Sequence, residues 1–335
     1  MTYDGIEIDM LSLGDADCIL VTCWKNGEPE RVLIDGGRLS SVETVRGFLR
    51  RRNVKTLDHV VCSHSDDDHA AGLIEILGDD TLAIGRLWTH LLDEKHIDVP
   101  SIYKQASKYS ARLTEAKAIC ESLKTNKTLV KTAEERNIPI SEPFKGKKIG
   151  FLTVCGPSIE FYRETISLMA KENYYAYKSN RVAPLLESLL EDFKDELDEL
   201  QVCSLLDNPE TTVANNISTI LTTKFDGNVY LFTADAGAQA LGSALKNFNA
   251  IRDYKWMQIP HHGSRHNITQ ELIEQLSPKT AYISAKGNKK HPSIAVVNAL
   301  KERGANAYST HYSGHLWHHR GTVPHRKGYS KATPL

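Results

Sequence analysis

The six residues His64-Ser65-Asp66-Asp67-Asp68-His69 put two imidazoles and three carboxylates into one short stretch of chain. They follow an apolar run at 57–62 (LDHVVC) and lead directly into Ala70-Ala71-Gly72-Leu73-Ile74. The pattern predicts a buried strand that hands over to a helix near Asp68, with the polar groups gathered at the junction. Imidazole nitrogen and carboxylate oxygen suit borderline and hard divalent cations, and a tight turn can aim several of them at one point. Helix capping by Asp67 or Asp68 would explain one acid. It would not explain a histidine at each end.

Working outward, the same pairing of strand and acid recurs. Upstream, 6–24 reads as strand, turn, strand, and Arg31-Val32-Leu33-Ile34 stops at Asp35-Gly36-Gly37. Taken alone, that stop is equally an ordinary Asp-Gly turn or an acid placed to orient another side chain. A helix is expected over 41–51, and a strand over 82–88 ends near His90, read as structural. Downstream, strand character at 217–223, the turn Asp226-Gly227-Asn228 and the run 229–233 predict a hairpin that ends at Ala234-Asp235-Ala236-Gly237. A short strand at 256–259 runs into Pro260-His261-His262-Gly263-Ser264. Another at 280–284 precedes the loop Lys286-Gly287-Asn288-Lys289-Lys290-His291-Pro292, and a helix follows over 294–303. Two stretches interrupt this rhythm: a lysine-rich helical segment at about 93–145 and a second at about 160–212. The acidic run 187–199 in the second reads as a solvated helix face. The domain is expected to span 1–310 with these two helical insertions, and 311–335 to form a His-rich C-terminal tail.

Composition narrows the class. A chain of 335 residues with 41% hydrophobic and 25% charged residues has the make-up of a globular protein. The formal net charge of −1 gives no overall basicity, so any groove for nucleic acid must be local. The first residues are acidic rather than basic and apolar, and no run approaches membrane-spanning length. The six cysteines form no CxxC pair. They read as buried thiols of a reducing cytoplasm, the expected location.

Four strand ends thus deliver acids and imidazoles: Asp35, His64 to His69, Asp235 and His261/His262. In layered α/β structures such ends are where a site is assembled from distant sequence. LIDGG, HSDDDH, TADAG and PHHGS, in that order, resemble the metallo-β-lactamase fold hydrolases. The nearest subgroup includes the metallo-hydrolase domain of the competence protein ComEC and related phosphodiesterases. Leu13-Gly14-Asp15-Ala16-Asp17, Asn215-Asn216-Ile217-Ser218, Ile283-Ser284 and His291-Pro292 extend the likeness over about 8–310.

The resemblance implies an α/β fold, a four-layer αββα sandwich, with two divalent metal ions (Zn2+ or Mn2+) at one edge. His64 and Asp66 would bind one metal, and Asp68 and His69 the other. Asp235 would bridge both, and one histidine of the 261/262 pair, His262 by preference, would complete the second. Asp35 would orient a ligating histidine. The chain departs from the usual HxHxDH because Asp66 replaces the middle histidine, and Asn215/Asn216 stand where many members place a further ligand histidine. The richer oxygen set tilts preference toward manganese.

The reaction expected is hydrolysis of a phosphodiester, with nucleic acid as the first substrate class. Metal coordination lowers the pKa of water from 15.7 to roughly 7, and the resulting bridging hydroxide would be the nucleophile. His261, Asp68 and Asp35 are the expected catalytic residues, His261 by contacting substrate or protonating the leaving oxygen. Asn216, His291 and Lys286 are the expected substrate contacts, although His291 reads nearly as well as an exposed loop histidine. Lys286, Lys289 and Lys290 could steer an anion or simply be solvated. Two other readings stay open. One is a small-molecule esterase acting on a cyclic nucleotide, a phosphocholine-type diester or an acyl ester. The other is a pseudoenzyme serving as a regulatory partner, with the helical insertions as the surface for a protein.

Overall fold

The computed structural model describes residues 3–91, 114–166, 204–246, 254–326 and 331–335. Side chains of 114–123 are outside that set, as are the acidic run 187–199 and most of the second helical segment.

Alternation in the strands dictates the layers. In the first half of the chain β1 (Gly5–Met10), β2 (Ile19–Lys25) and β3 (Glu28–Ile34) form an antiparallel meander. Its Ile6, Ile8, Met10, Ile19, Val21, Val32 and Ile34 face one side and its Leu20 and Leu33 the other. A short parallel pair, β4 (Thr56–Leu57) and β6 (Ala83–Ile84), lies apart. β5 (His59–Val61), β7 (Leu87–Trp88) and β8 (Ile140–Ser141) add in parallel beyond β3. The second sheet runs from β9 (Lys148–Ile149) through β10 (Leu152–Gly156), β11 (Ile220–Phe225), β12 (Asn228–Phe232), β13 (Trp256–Gln258) and β14 (Thr280–Ile283) to β15 (Asn306–Ser309). Its β12 to β15 are parallel, and β11 and β12 form the expected hairpin around Asp226 and Gly227, both at positive φ.

One side of each sheet meets the other in a dry core that includes Ile8, Val21, Ile34, Leu221, Tyr230, Phe232 and Trp256. The outer side of the first sheet is covered by α1 (Val42–Arg51), α2 (Asp67–Leu77) and α3 (Thr114–Glu135) through Val45, Phe48, Leu73, Leu77, Leu129 and Ala133. After the single turn α4 (Val213–Asn216), the outer side of the second sheet is covered by α5 (Ala238–Leu245), α6 (Gln270–Leu276) and α7 (Ile294–Glu302). This is the four-layer αββα sandwich.

The C-terminal residues set apart as a His-rich tail contain the turn α8 (Thr310–Ser313) and then β16 (Leu316–Gly321). That strand pairs antiparallel with β1 and becomes the edge of the first sheet. Buried Glu7 on β1 accepts from Trp24 Nε1 at 2.7 Å and pairs with Arg326 Nη2 at 2.7 Å, which pins the chain beyond β16. Four cysteines, Cys18, Cys23, Cys62 and Cys155, are buried free thiols. Among the described residues no helix is long and apolar enough to cross a membrane.

Candidate metal centre

The ends of β3, β5, β12 and β13 open on the same edge of the sandwich, so the four acid-bearing turns meet there. Two glycines make the approach possible. A Cβ on Gly72 would stand 2.0 Å from the Gly36 carbonyl oxygen, and one on Gly36 would stand 2.6 Å from Leu73 N. With neither present, Gly36 N donates to the His69 carbonyl at 2.8 Å and Gly72 N to that of Gly37 at 2.8 Å. The end of β3 is thereby locked against the first turn of α2.

That turn presents the site. Asp66 is the residue before α2, yet its side chain makes no capping hydrogen bond, so its carboxylate is left for other work. His64, His69, Asp235 and His262 are all buried, and donor atoms of His64, His69 and Asp235 converge within 4.8 Å. Those of Asp68, His69 and His262 converge likewise. The separations are 3.3 Å from His69 Nε2 to Asp235 Oδ2, 3.7 Å from His262 Nε2 to Asp68 Oδ2 and 3.6 Å from His64 Nε2 to Asp66 Oδ2. His261 Nε2 stands 3.7 Å from Asp235 Oδ2.

Hydrogen bonds fix which nitrogen of each ring faces the cluster. His69 Nδ1 donates to Asp35 Oδ2 at 2.8 Å, and His262 Nδ1 donates to the Ser284 carbonyl at 2.8 Å. Ser63 Oγ spends its proton on Asp35 Oδ2 at 2.6 Å, so at 3.1 Å it accepts from His64 Nδ1. All three rings therefore turn Nε2 inward. Those three Nε2 atoms and Asp235 Oδ1 are buried with no hydrogen-bond partner. Leaving such atoms unpaired is costly in a folded interior.

A metal ion removes the cost. Donors bound at about 2.0–2.2 Å around a tetrahedral ion lie roughly 3.3–3.6 Å apart, too far for hydrogen bonds and close to the spacing found here. The residues fit divalent ions: His64, His69, Asp235, Asp68 and His262 come together. Asp66 sits at the rim, with 37% of its side chain exposed.

Without metal, the carboxylates hold protons on these rings. Burial disfavours charge on His262, but Asp235, Asp68 and Asp17 outweigh it and lift its pKa to about 9. His69 behaves alike between Asp235 and Asp35 and is held well above its ordinary value. Burial works against ionised Asp235 and Asp68, yet the surrounding imidazoles keep both below the usual carboxylate range. His261 moves the other way: burial pushes it below 6.5.

The remaining expected residues are placed as follows. His291 stands at the mouth, its ring centroid 5.5 Å from that of His261 and 5.8 Å from that of His262. Lys286 is exposed, and its backbone N donates to Asp15 Oδ1 at 2.8 Å. Asn216 packs at Gly237, where an added Cβ would meet its Oδ1 at 2.4 Å. It is the neighbouring Asn215 that reaches His261, its Nδ2 lying 3.4 Å from His261 Nδ1. The stronger partner of that nitrogen is Asn267 Oδ1 at 2.8 Å.

Asp17 takes a place that local pattern did not assign it. It is buried beneath the centre, accepts from Gln258 Nε2 at 2.7 Å and from Ser284 Oγ, and lies 3.9 Å from the Nδ1 atoms of both His69 and His262. Its backbone N also donates to the Asp68 carbonyl at 3.2 Å. The only signal in the sequence was its place in LGDAD.

No family model matches the chain. It is similar to ComE operon protein 3 of Bacillus subtilis (strain 168), with 25% identity over 330 residues, covering 92% of this chain and 32% of that protein. The chain thus spans about a third of the length of the curated relative it matches. Among solved structures it is similar to the metallo-beta-lactamase fold protein YhfI from Bacillus subtilis (TM-score 0.47, 9% identity, 95% of this chain and 100% of that one). It is also similar to a diphosphatase from the PhnP family (TM-score 0.43, 10% identity, 95% and 99%). A third is CmlA, a diiron beta-hydroxylase from Streptomyces venezuelae (TM-score 0.46, 12% identity, 94% and 54%).

Proposed function

We propose that this chain, which has the metallo-β-lactamase fold, is a metal-dependent hydrolase that cleaves phosphodiesters, with nucleic acid as the first substrate class. The observation that carries the reading is the set of inward-facing, unpartnered Nε2 atoms of His64, His69 and His262 around Asp235. His64, Asp66 and Asp235 would hold one divalent ion, and Asp68, His69, His262 and Asp235 a second, Zn2+ or Mn2+. When bound, such a pair supplies water of lowered pKa as nucleophile and positive charge for the developing charge on the ester oxygens.

The chain's own residues do the rest. Asp35 holds His69 in the tautomer with Nε2 free, and the Ser284 carbonyl does the same for His262. Asp17 accepts from Gln258 and from the hydroxyl of Ser284, the residue that holds His262. His261 is the group for proton movement. Asn267 Oδ1 takes its Nδ1–H, and a pKa below 6.5 leaves Nε2 as an acceptor at neutral pH. That favours Nε2 receiving a proton from the attacking water. The sequence reading was contact with substrate or protonation of the leaving oxygen. His291, its ring 5.5 Å from that of His261, would meet an anionic oxygen of the substrate.

The test is hydrolysis of bis-p-nitrophenyl phosphate, then of single- and double-stranded DNA, by protein freed of metal and reloaded with manganese or zinc. Turnover that depends on added metal, with manganese at least as effective as zinc, is the expected result. Metal-loaded protein that leaves all three intact but cleaves p-nitrophenyl acetate would favour the acyl esterase instead.

A further inference from the structure

Arg38 follows the two glycines that close β3, and half of its side chain is exposed. Its Nη2 donates to Asp68 Oδ2 at 3.1 Å and to the Asp15 carbonyl at 3.3 Å. The same Asp68 oxygen lies 3.7 Å from His262 Nε2, so the guanidinium abuts the second set of metal donors. Its Nε and Nη1 have no hydrogen-bond partner among the described residues. Asp15 ties this arginine to the opposite rim. Its carboxylate accepts from Lys286 N at 2.8 Å and from Asn288 Nδ2 at 2.9 Å, and lies 3.7 Å from His291 Nδ1. Arg38 and His291 therefore flank the mouth on one shared support.

A fixed cation beside a site for divalent ions opposes metal binding, unless an anion comes between them. Its bond to Asp68 is half-exposed and correspondingly weak, so it exchanges readily for another acceptor. A guanidinium also offers two parallel donors that match the oxygens of a phosphate.

We propose that Arg38 is the substrate's phosphate clamp: it binds a non-bridging oxygen of the anionic diester at the mouth of the centre and selects anionic over neutral esters. This rests on the phosphodiesterase reading above.

The test compares metal-loaded wild type, Arg38→Ala and Arg38→Lys. It measures metal content, KM and kcat for bis-p-nitrophenyl phosphate and for neutral p-nitrophenyl acetate, and calorimetric binding of inorganic phosphate. Arg38→Ala should keep its metal, raise KM for the diester and weaken phosphate affinity, each on the order of 10–100-fold, the scale of a charge-assisted hydrogen bond. Arg38→Lys should recover part of that loss, and any acetate hydrolysis should be unchanged. Unaltered KM and phosphate affinity in Arg38→Ala would overturn the assignment, as would metal content that changes in step with them. Wild type that binds phosphate without cleaving the diester removes the phosphodiesterase reading, while phosphate affinity still decides the role of Arg38. Wild type that binds no phosphate overturns the role of Arg38, whereas turnover of the diester alone decides the phosphodiesterase reading.

Discussion

His69 Nδ1 stands 2.8 Å from Asp35 Oδ2, and that one hydrogen bond joins two turns 34 residues apart and sets which nitrogen His69 offers to a metal. Asp35 is fully buried at positive φ, a backbone conformation that disfavours most side chains, and its other oxygen accepts from Ser63 N at 2.8 Å. Such strain at a residue that touches a candidate ligand points to a positioning role.

Asp35→Asn keeps the shape and removes the charge that holds the His69 tautomer. Metal affinity should fall about 10–100-fold, the usual effect of losing a group that orients a ligand. Competition titration against a chelator measures it. Affinity equal to wild type would remove Asp35 from the centre's support.

The paired histidines should fail differently. His262 is buried with Nε2 facing Asp68, whereas 29% of the His261 side chain is exposed. His262→Ala should lower metal content and, with it, melting temperature, because bound metal stabilises the fold by mass action. His261→Ala should keep both and lose on the order of 10²–10⁴-fold in turnover. Equal metal loss in the two variants would mean that both ligate.

Much of this was legible in the sequence, and the reasons are local. Alternation in β1 to β3, the Asp226-Gly227 turn and acids at strand ends are short-range patterns, so these elements could be placed, whereas the four layers and the site's edge were implied only by the family resemblance. A strand of two residues such as β8, which lies inside the expected helical segment 93–145, is too short for a period to show. The edge strand β16 pairs with β1 across the whole chain, a relation that no local pattern encodes, and its histidines read as a tail. Asp17 was quoted only as part of a matching motif, because its partners Gln258 and Ser284 are 241 and 267 residues away. No reading of the sequence singled out Arg38. Only the folded chain sets it against Asp68.

Acidity should act on metal-free and metal-loaded protein in opposite ways. The folded pKa of His262, about 9, exceeds its ordinary 6.5. A raised histidine stabilises the fold fully below 6.5, and that contribution is lost as pH rises toward 9. Metal needs Nε2 unprotonated, so its binding tightens over the same window. Melting temperature in chelator should therefore fall from pH 6.5 to 9, while the gain on adding manganese should grow. A gain that is flat or shrinks across that range would contradict the ligand role of His262.

The most direct test is metal stoichiometry by plasma mass spectrometry, for wild type and Asp235→Ala reconstituted under identical conditions. Asp235 lies 3.3 Å from His69 Nε2 and 3.7 Å from His261 Nε2, and its buried Oδ1 has no partner. With Asp235 shared between two ions, wild type should hold about two metals per chain, as two-metal hydrolases do, and Asp235→Ala should lose most of both. Full metal content in Asp235→Ala, or a wild type that takes up none, would contradict it.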